Sequence, residues 1–537
     1  MAAKSSKLTT ILFVLIILVY LVYSAHYIYQ TSHVIEGTRY FNLNDDAMIS
    51  MRYARNLANG DGLVWNPGGE RVEGFTNPLW VLYMSIFHLM PIPIELISLP
   101  IQITGAILMI INMLLVVKII QQFTDKTVVI LGAVVLTGFY GPLNNWSLLG
   151  MEVSILTVMV SWAVLKTMQS LDNETFSLAP YLILGVGTYV RIDMAVPYLV
   201  VLGLLAYFNR AHRRKHLLWG VGLLLLFLLS QTGLRLWYYG YPLPNTYYLK
   251  VLGTPLFVRF GKGLYALFNL VWKANWLIAL LPFALLSFRR DRKIILLFLV
   301  FLAQVAYSVY VGGDAWEHMG GANRYISQGI TFFFILLSLA VGTGFEVLFM
   351  SLNLRSKISR WVYQLGTAAF LLICLVNVNM RIEFNSLRKW LAIAPPEFSV
   401  ASEYYIEIAH AVEKISTKDA SIAVQAAGSI PYFTDRFSVD LYGKNDPVIA
   451  RQDSHLKPGL RGIIEFRPGH TKWDAMYSVV ELQPDLLLQL SKDPKQTSPE
   501  ALAFVDEHYV IVEVDGYSFT ALKDSPHILW DQVDLVH

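Results

Sequence analysis

Residues 8–29, LTTILFVLIILVYLVYSAHYIY, form an uninterrupted apolar run that is long enough to cross a bilayer, which needs about 20 apolar residues per helix. Lys4 and Lys7 precede the run. The run is too long for the apolar region of a signal peptide, and no small-residue cleavage site follows it. We therefore predict an uncleaved membrane anchor with its N-terminus in the cytoplasm.

The rest of the chain repeats this pattern. Hydrophobic residues make up 55% of the 537 residues and charged residues only 15%, whereas soluble domains have about 25% charged residues. This composition excludes a large soluble protein and predicts a polytopic α-helical membrane protein. The net charge of +3 does not favour a nucleic-acid partner, and a single cysteine, Cys374, excludes an intramolecular disulfide.

Ten further apolar runs are candidate membrane helices, which gives about 11 spans. They are 78–97, 98–121, 127–141, 149–170, 178–208, 216–236, 264–287, 293–312, 325–350 and 359–380. We accept 11 to 13 because prolines interrupt the region 78–121 and because 178–208 is long enough for two short helices.

Basic clusters in the loops predict the orientation. Lysine and arginine concentrate at 210–215, 289–293 and 355–360, and short basic loops face the cytoplasm. The first loop (30–77), two later stretches (237–263 and 313–324) and the tail then lie on the outer face. We predict a transmembrane catalytic domain over 1–380 and a soluble domain over 381–537.

The tail has the pattern of a small α/β domain. Residues 399–415 predict an amphipathic helix, because their apolar residues recur at helical spacing. Short strands are predicted at 421–425, 437–441, 485–490 and 509–514. No membrane-spanning run occurs after residue 380.

The first outer loop contains two adjacent carboxylates, Asp45 and Asp46, followed by Arg52 and Arg55. The pattern predicts the start of a helix with the acids at its N-terminal end, where the helix dipole favours negative charge. One interpretation is a helix cap with surface ion pairs between these acids and arginines. The other is a catalytic acid pair, because an aspartate can take the proton of an attacking hydroxyl group.

Three other segments carry polar candidates. The first loop continues with VEGFTNP (72–78), the second stretch is YPLPNTYYLK (241–250), and the third is VGGDAWEHMGGANRY (311–325). The second is also compatible with an interfacial aromatic belt and a snorkelling lysine, and the third with a flexible turn. Arg191 and Asp193 lie inside an apolar run and are either functional or an ion pair that joins two helices.

Together these groups predict a site for a lipid with an anionic head. Cations would hold its phosphate, with arginine as a bidentate donor: Arg191, Lys250, His318 and Arg324. This combination describes glycosyl transfer from a lipid-phosphate sugar. The sequence contains no P-loop or dinucleotide-binding fingerprint, which fits a lipid donor used outside the compartment that contains ATP.

The motifs DDA, RYARNL, GLVWNPGG and VEGFTNPLW of the first loop resemble those of the bacterial GT-C arabinofuranosyltransferases. PLPNTYYLK (242–250), GGD (312–314) and the tail segments 443–451 and 468–473 are similar to later signatures of these enzymes, which cap cell-wall arabinan or modify type IV pilins. The chain departs from the pattern at Arg191-Ile-Asp193-Met194, where related sequences often have Arg-Pro followed by an acid and glycine.

The resemblance implies a GT-C fold in a bacterial inner membrane, with a periplasmic active site, a polyprenyl-phosphate arabinofuranose donor, and a periplasmic glycan or pilin as acceptor. It implies inversion at the anomeric carbon, with Asp45 and Asp46 as the catalytic pair. Two alternatives stay open: a flippase of lipid-linked sugars, and a ligase for another polyprenyl-linked sugar or glycan.

We expect further substrate contacts from Arg52, Arg55, Glu73, Thr76, Asn77, Asp193, Asn245, Tyr247, Asp314 and Trp316. For the acceptor we expect contacts in the tail from Asn445, Asp446, His470, Lys472 and Trp473, although solvated loops have a similar composition. A divalent cation (Mg²⁺, Mn²⁺ or Ca²⁺) is a candidate cofactor for the acid pair, but the sequence shows no full oxygen-ligand loop.

Overall fold

The computed structural model describes residues 7–317, 323–352, 357–381 and 385–535. Its contacts group into two compact units. The first comprises Met1–Gln30, Ile101–Gln231 and Arg259–Pro396, and the second comprises Thr31–Pro100, Thr232–Val258 and Glu397–His537. The boundary predicted near residue 380 separates the membrane part of the chain from its soluble part. The two units are defined by contacts and not by their surroundings, so this boundary stays a prediction.

Helices dominate the described residues. In chain order they are α1 (Lys7–Gln30), α2 (Asp45–Asn59), α3 (Pro78–His88), α4 (Leu99–Ile120), α5 (Thr127–Gly138), α6 (Gly141–Leu148), α7 (Val153–Asp172), α8 (Ala179–Val190), α9 (Ala195–Phe208), α10 (Arg213–Tyr239), α11 (Asn245–Val251), α12 (Leu256–Lys273), α13 (Trp276–Phe288), α14 (Arg292–Val311), α15 (Arg324–Ser327), α16 (Ile330–Ser351), α17 (Lys357–Met380), α18 (Ser386–Trp390), α19 (Glu397–Ile415), α20 (Ser429–Thr434), α21 (Pro447–Ala450), α22 (Gly459–Ile464) and α23 (Pro499–His508).

The strands are short. They are β1 (Ser32–Ile35), β2 (Thr38–Phe41), β3 (Ser421–Val424), β4 (Phe437–Asp440), β5 (Leu486–Leu487), β6 (Tyr509–Val514), β7 (Tyr517–Leu522) and β8 (Asp534–Leu535).

Among the described residues, seven helices are long and apolar enough to cross a membrane: α1, α4, α7, α10, α14, α16 and α17. The number rises to nine if α5–α6, bent by 51°, and α12–α13, bent by 94°, each form one span. The predicted count of 11 to 13 is not confirmed. The difference arises because α3, α8 and α9 have 11, 12 and 14 residues, fewer than the roughly 20 that a span needs.

The division of the run 178–208 into two short helices is confirmed. α8 ends at Val190 and α9 begins at Ala195, so the charged residues Arg191 and Asp193 lie at the break. Charged side chains are more easily accommodated at such a break, because neighbouring groups there can pair with them.

Local sequence also explains where α14 begins and ends. The Asp291 carboxylate accepts a hydrogen bond from the Lys293 backbone N–H at 2.7 Å, which caps the N-terminus. Gly312 follows the last turn with φ +91°, a left-handed conformation that glycine adopts without a steric cost. This cap turns the chain into the segment that contains Asp314.

The second unit is built on a six-stranded sheet of order β4-β3-β5-β7-β6-β8. β3 runs parallel to β4 and β5, and the remaining pairs are antiparallel. A core of apolar side chains covers it, including Ala423, Val439, Leu487 and Tyr509. The predicted α/β tail is confirmed, since four of these strands and α19 fall where the sequence placed them.

The first loop of the second unit contains an antiparallel hairpin, β1–β2, that we did not predict. Glu36 and Gly37 form its two-residue turn, both with positive φ. Turns of this kind match the twist of the flanking strands. After the hairpin the chain enters α2, which begins with the acid pair.

Candidate active site

The two acids begin α2, as predicted. Asn44 is the N-cap residue, and its side-chain oxygen accepts a hydrogen bond from the Asp46 backbone N–H at 3.0 Å. Asp45 and Asp46 form the first turn, where the positive end of the helix dipole stabilises carboxylates. The local sequence therefore fixes both carboxylates at one end of a short helix.

The Asp45 carboxylate is held by the turn before α20. Its Oδ1 accepts a hydrogen bond from the Ser429 backbone N–H at 2.8 Å. Gly428 makes this approach sterically feasible, because a Cβ there would lie 1.9 Å from the Asp45 carbonyl oxygen. Burial raises the pKa of Asp45 to about 6, and the negative charge of Asp46 adds to the shift, while the Ser429 N–H and the Lys444 charge oppose it.

Asp46 pairs with Lys444. The Lys444 Nζ donates to Asp46 Oδ1 at 2.5 Å, and both side chains are largely buried, with 21% and 13% exposed. Lys444 comes from the loop after β4. Sequence reasoning missed it, because nothing near Asp46 along the chain indicates a partner that lies 398 residues later.

The interpretation of surface ion pairs between the acids and Arg52 or Arg55 is not the one this geometry supports. Arg52 is fully buried and donates to backbone carbonyls, among them those of Trp65 at 2.5 Å and Arg436 at 2.7 Å. Arg55 pairs with Asp435 and donates to the Tyr432 carbonyl. Both guanidinium groups thus hold loops together, and their substrate contacts stay predictions that this geometry does not favour.

Lys250 and His470 belong to the same neighbourhood. A Cβ added to Gly469 would lie 3.3 Å from Lys250 Cε, so the two segments touch. Burial lowers the pKa of His470 to about 4. The negative charge of Asp46 opposes this shift, and the positive charges of Lys444 and Lys250 reinforce it. His470 is therefore a neutral imidazole at pH 7, beside one acid and two lysines.

The second unit therefore brings together residues that three separate segments supply. They are Asp45, Asp46, Lys250, Lys444 and His470. The first loop, the second outer stretch and the tail each contribute. This convergence of two acids and two cations is the candidate active site.

Other predicted residues of the first loop have mainly structural contacts within the second unit. The Glu73 carboxylate accepts hydrogen bonds from Arg235 Nε at 2.8 and 3.1 Å. The Asn77 side chain accepts a hydrogen bond from the Ser50 hydroxyl at 3.0 Å. Thr76 is half-buried.

Asn245 and Tyr247 differ in accessibility. Asn245 is buried, and its amide donates to the carbonyls of Gly443, Lys444 and Asp446 at 3.0–3.1 Å. It therefore fixes the loop that carries Lys444. Tyr247 is 40% exposed and does not fix this loop, so a ligand can reach its ring.

Two of the predicted acceptor residues in the tail have structural contacts. Lys472 is fully buried, and its ammonium donates to the carbonyls of Tyr248, Leu252 and Ala450 at 2.7–3.0 Å. These three bonds use all three of its protons, so this geometry does not favour contact with an acceptor. Asn445 is also buried and donates to the Asp440 carboxylate at 3.0 Å.

Asp446 and Trp473 are more accessible. The Asp446 carboxylate caps α21 by accepting from the Val448 and Ile449 N–H groups. The half-buried Trp473 stacks on His455 with ring centroids 4.4 Å apart. An indole that is partly accessible has an apolar surface and a polar N–H to offer, so Trp473 stays an acceptor candidate of the tail.

The first unit contains the ion pair that Arg191 and Asp193 were predicted to form. Arg191 donates to both Asp193 oxygens, at 3.0 and 2.8 Å, and to Glu152 Oε1 at 3.2 Å. Gln328 also donates to Asp193, at 2.9 Å. The interpretation of an ion pair that joins helices is the one this geometry supports.

Arg324 is similarly engaged. Its Nε and Nη2 donate to the Asp314 carboxylate at 2.9 and 3.2 Å, and its guanidinium lies 5.2 Å from the Trp146 ring centroid. Trp316 is half-buried, and His318 lies outside the described residues. Since carboxylates already occupy the forks of Arg191 and Arg324, their phosphate-binding roles stay predictions.

The residues around the acid pair do not form a metal-ligand set. Among the described residues, no group of three or more histidine, cysteine, aspartate or glutamate side chains is arranged to hold a metal ion. At Asp46 the Lys444 ammonium supplies the positive charge. A divalent cofactor stays a prediction, and we assign no step to it.

Comparisons with known proteins agree with this architecture. Residues 396–526 match a family model described only as a domain of unknown function, DUF8728. No curated protein shows significant sequence similarity to the chain. Solved structures, in contrast, match nearly its whole length.

Two of these structures are of ArnT from Cupriavidus metallidurans. The apo form has a TM-score of 0.54 and 14% identity, and covers 95% of this chain and 97% of its own. The form bound to undecaprenyl phosphate has a TM-score of 0.55 and 13% identity, and covers 96% and 98%. The chain has a GT-C fold.

A third structure is the oligosaccharyltransferase of Archaeoglobus fulgidus tethered to an acceptor peptide. It has a TM-score of 0.54 and 11% identity, and covers 97% of this chain and 76% of its own. The predicted GT-C fold, with membrane helices and a C-terminal sheet domain, is thus confirmed. The narrower resemblance to arabinofuranosyltransferases stays a prediction.

Proposed function

We propose that this protein is an inverting glycosyltransferase that moves a sugar from a polyprenyl-phosphate donor to an acceptor on the periplasmic face of a bacterial inner membrane. The observation that carries the proposal is Asp45. It lies at the start of α2 in a GT-C fold, its carboxylate is oriented by the Ser429 N–H, and its pKa is about 6. A carboxylate with this pKa is mostly ionised at pH 7 and is a stronger base than an ordinary aspartate.

In the proposed reaction Asp45 accepts the proton of the acceptor hydroxyl group. The hydroxyl oxygen attacks the anomeric carbon, the bond from that carbon to the phosphate oxygen breaks, and polyprenyl phosphate leaves. Attack opposite the leaving group inverts the configuration. Asp46 pairs with Lys444, and the positive charge of Lys444 opposes the rise in the pKa of Asp45.

Negative charge grows on the phosphate as the bond breaks, and a nearby cation lowers that barrier. In the second unit Lys250 is the candidate for this cation, because it lies beside Gly469 and close to His470, which is next to the acid pair. The neutral His470 adds a hydrogen-bonding group without adding charge.

The identities of the substrates rest on similarity. The motifs of the first loop favour D-arabinofuranose as the sugar, and a periplasmic glycan or a pilin as the acceptor. ArnT has been crystallised with undecaprenyl phosphate and the oligosaccharyltransferase with an acceptor peptide, which supports a lipid donor and, of the two acceptors, the pilin. The same oligosaccharyltransferase neighbour favours one second candidate, a ligase that transfers a whole glycan.

The test is transfer by the purified full-length protein in nanodiscs. Labelled polyprenyl-phospho-D-arabinofuranose and a polyprenyl-linked oligosaccharide are supplied separately with a periplasmic acceptor extract. We expect product from the first donor, loss of product in Asp45→Asn, and normal product in Asp61→Asn, an exposed carboxylate of the same loop. Product from the oligosaccharide alone would favour the ligase, and full activity of Asp45→Asn would refute the mechanism.

A further inference from the structure

The sheet of the second unit has a topological switch point between β3 and β5. β3, β4 and β5 are parallel, so their carboxyl ends lie at one edge, and β3 lies between the other two. From β3 the chain goes to β4 on one side, whereas from β5 it goes through α23 to β6 on the other side. Where neighbouring parallel strands lead away in opposite directions, their loops leave a crevice in which α/β proteins bind ligands.

A cleft that the mechanism above does not use lies at this edge of the sheet. Gln425, directly after β3, lines it together with Tyr442 from the loop after β4 and Gln496 from the loop after β5. Trp473 and Asp474 complete the polar part of the lining. The enclosed space is only about 20 Å³, room for one water molecule, so a larger ligand lies across the cleft and stays partly in solvent.

Hydrogen bonds fix the walls of the cleft before any ligand binds. The Gln489 side-chain oxygen accepts from two successive backbone N–H groups of the loop after β3, at 2.8 and 2.7 Å, and so ties the loop after β5 to it. The Asp474 carboxylate accepts from the Gln452 amide at 2.7 Å and from the Tyr477 N–H at 3.0 Å. A site that is already ordered loses little conformational entropy on binding.

Several polar groups of the cleft are available to a ligand. Within the part of the chain that the structure describes, the side-chain amides of Gln425 and Gln496, the Tyr442 hydroxyl and the Trp473 indole N–H have no hydrogen-bond partner. The Asp474 carboxylate has two, and an ionised carboxylate has about four lone-pair sites, so it can accept more. The cleft therefore offers both donors and acceptors.

The charge of the lining distinguishes between classes of ligand. Among the described residues that line the cleft, Asp474 is the only charged one, so no cation is present to bind a phosphate or a carboxylate. The Trp473 ring, held by stacking on His455, adds an apolar surface beside the polar groups. Hydroxyl groups that donate and accept, together with an apolar ring face, are the properties of a neutral saccharide.

The cleft adjoins the candidate active site within the second unit. The Tyr442 ring centroid lies 5.8 Å from that of His470, and the charges of Asp46 and Lys250 act on His470. A chain of several sugars that lies across the cleft can therefore extend past Tyr442 toward the acid pair.

We propose that this cleft binds a neutral saccharide segment of the acceptor. Trp473 lies against one sugar ring, Gln425, Asp474 and Gln496 bond to hydroxyl groups, and the chain extends past Tyr442 so that its terminal hydroxyl reaches Asp45. That the saccharide is an acceptor rests on the proposed function, whereas the preference for a neutral saccharide rests on the cleft alone.

An extended peptide suits the cleft less well. Extended peptides commonly bind by pairing with an unpaired strand edge, and β3 and β5 are each paired on both sides. The proposed acceptor is accordingly a glycan, either free or already attached to a pilin.

The experiment is isothermal titration calorimetry of the full-length protein in nanodiscs. The probes are neutral tetrasaccharides of D-arabinofuranose and of D-glucose. We expect at least one of them to bind, and Gln425→Ala and Gln496→Ala each to weaken that binding about fivefold, the net effect of one hydrogen bond. Gln532→Ala is the matched control, because this exposed glutamine of the same unit bonds only to the neighbouring Asp531 and should leave the affinity unchanged. Thermal melting of each variant checks that it is folded.

Two further probes test the class of ligand. The tetrasaccharide with a terminal phosphate should bind more weakly than its neutral form, because Asp474 repels the phosphate and no lysine or arginine of the described lining attracts it. A neutral peptide rich in serine should not bind. Equal or tighter binding of the phosphorylated form, binding of the peptide alone, no binding of either neutral saccharide, or unchanged affinity in the double glutamine variant would each overturn the proposal.

Failure of this proposal is distinguishable from failure of the proposed function. Asp45→Asn should lose transfer and keep tetrasaccharide binding, whereas the glutamine variants should raise the acceptor KM more than they lower kcat. If wild-type protein transfers no sugar but binds the saccharide through Gln425 and Gln496, the glycosyltransferase proposal fails and the saccharide site stands. If it transfers sugar and the double variant has a normal acceptor KM, the saccharide site fails alone.

Discussion

Substitution of Gly428 by alanine tests whether the tail positions the catalytic base. A Cβ at residue 428 would lie 1.9 Å from the Asp45 carbonyl oxygen and 2.8 Å from its Oδ1, and real Cβ atoms essentially never approach closer than 3.0 Å. The two backbones must then separate by about 1.1 Å, the difference between 3.0 and 1.9 Å. That movement breaks the 2.8 Å hydrogen bond from the Ser429 N–H to Asp45.

A displacement of about 1 Å at a reacting group can cost about 10²-fold in rate. We therefore expect Gly428→Ala to lower kcat by about 10²-fold with a smaller change in donor KM, measured by transfer from a labelled lipid donor. Gly203→Ala is the control, because a Cβ at that glycine of α9 meets nothing within 4 Å. Wild-type turnover in a folded Gly428→Ala protein would refute the idea that this turn holds Asp45.

Four further predictions concern single groups. The kcat/KM should fall about tenfold per pH unit below pH 6 and level off above it, because Asp45 must be ionised to act as the base. Since the pKa of Asp45 is raised in the folded protein, its protonation stabilises the fold, and unfolding should not account for the loss of activity. A flat profile from pH 4.5 to 8 would contradict the assignment. Lys444→Met should raise the apparent pKa in that profile, since it removes a positive charge near Asp45; an unmoved profile would argue against the pairing. Arg324→Lys should lower the free energy of unfolding by about 1.5–3 kcal/mol in chemical denaturation, because lysine loses one of the two hydrogen bonds to Asp314. Reduced donor affinity with an unchanged free energy of unfolding would instead support a phosphate contact. Trp473→Ala should raise the acceptor KM while slow hydrolysis of the donor without acceptor stays the same; loss of donor binding would reverse that role.

Local patterns predicted much of the second unit. Strand β6 was expected at 509–514 and occupies Tyr509–Val514, because alternating β-branched and aromatic residues have few other stable arrangements. Helix α19 was expected at 399–415 and occupies Glu397–Ile415, because its apolar residues recur at helical spacing. The hairpin β1–β2 was missed although Glu36-Gly37 is a two-residue turn, because the segment directly follows a long apolar run.

The candidate active site was predictable only where its residues are close together along the chain. The acids at the start of α2 follow from Asn44 and the dipole, and the sequence shows both. The partner of Asp46 does not follow from any local pattern. A lysine in a loop is ordinarily solvated, and only the packing of β4 and α21 in the second unit selects Lys444 as the partner. The count of 11 membrane helices is not confirmed for a related reason, since apolar content does not reveal where a helix of 11 or 12 residues stops.

The contact between Asp46 and Lys444 also has a consequence for biosynthesis. The ribosome makes the acid pair early and its lysine 398 residues later, which at about 5–20 residues per second is a delay of roughly 20 to 80 s. Throughout that interval the nascent chain already has its first membrane helix but not the turn that orients Asp45 or the charge that neutralises Asp46. The proposed transfer can therefore begin only after nearly the whole polypeptide has been translated, and we expect chains that terminate before residue 428 to be inactive.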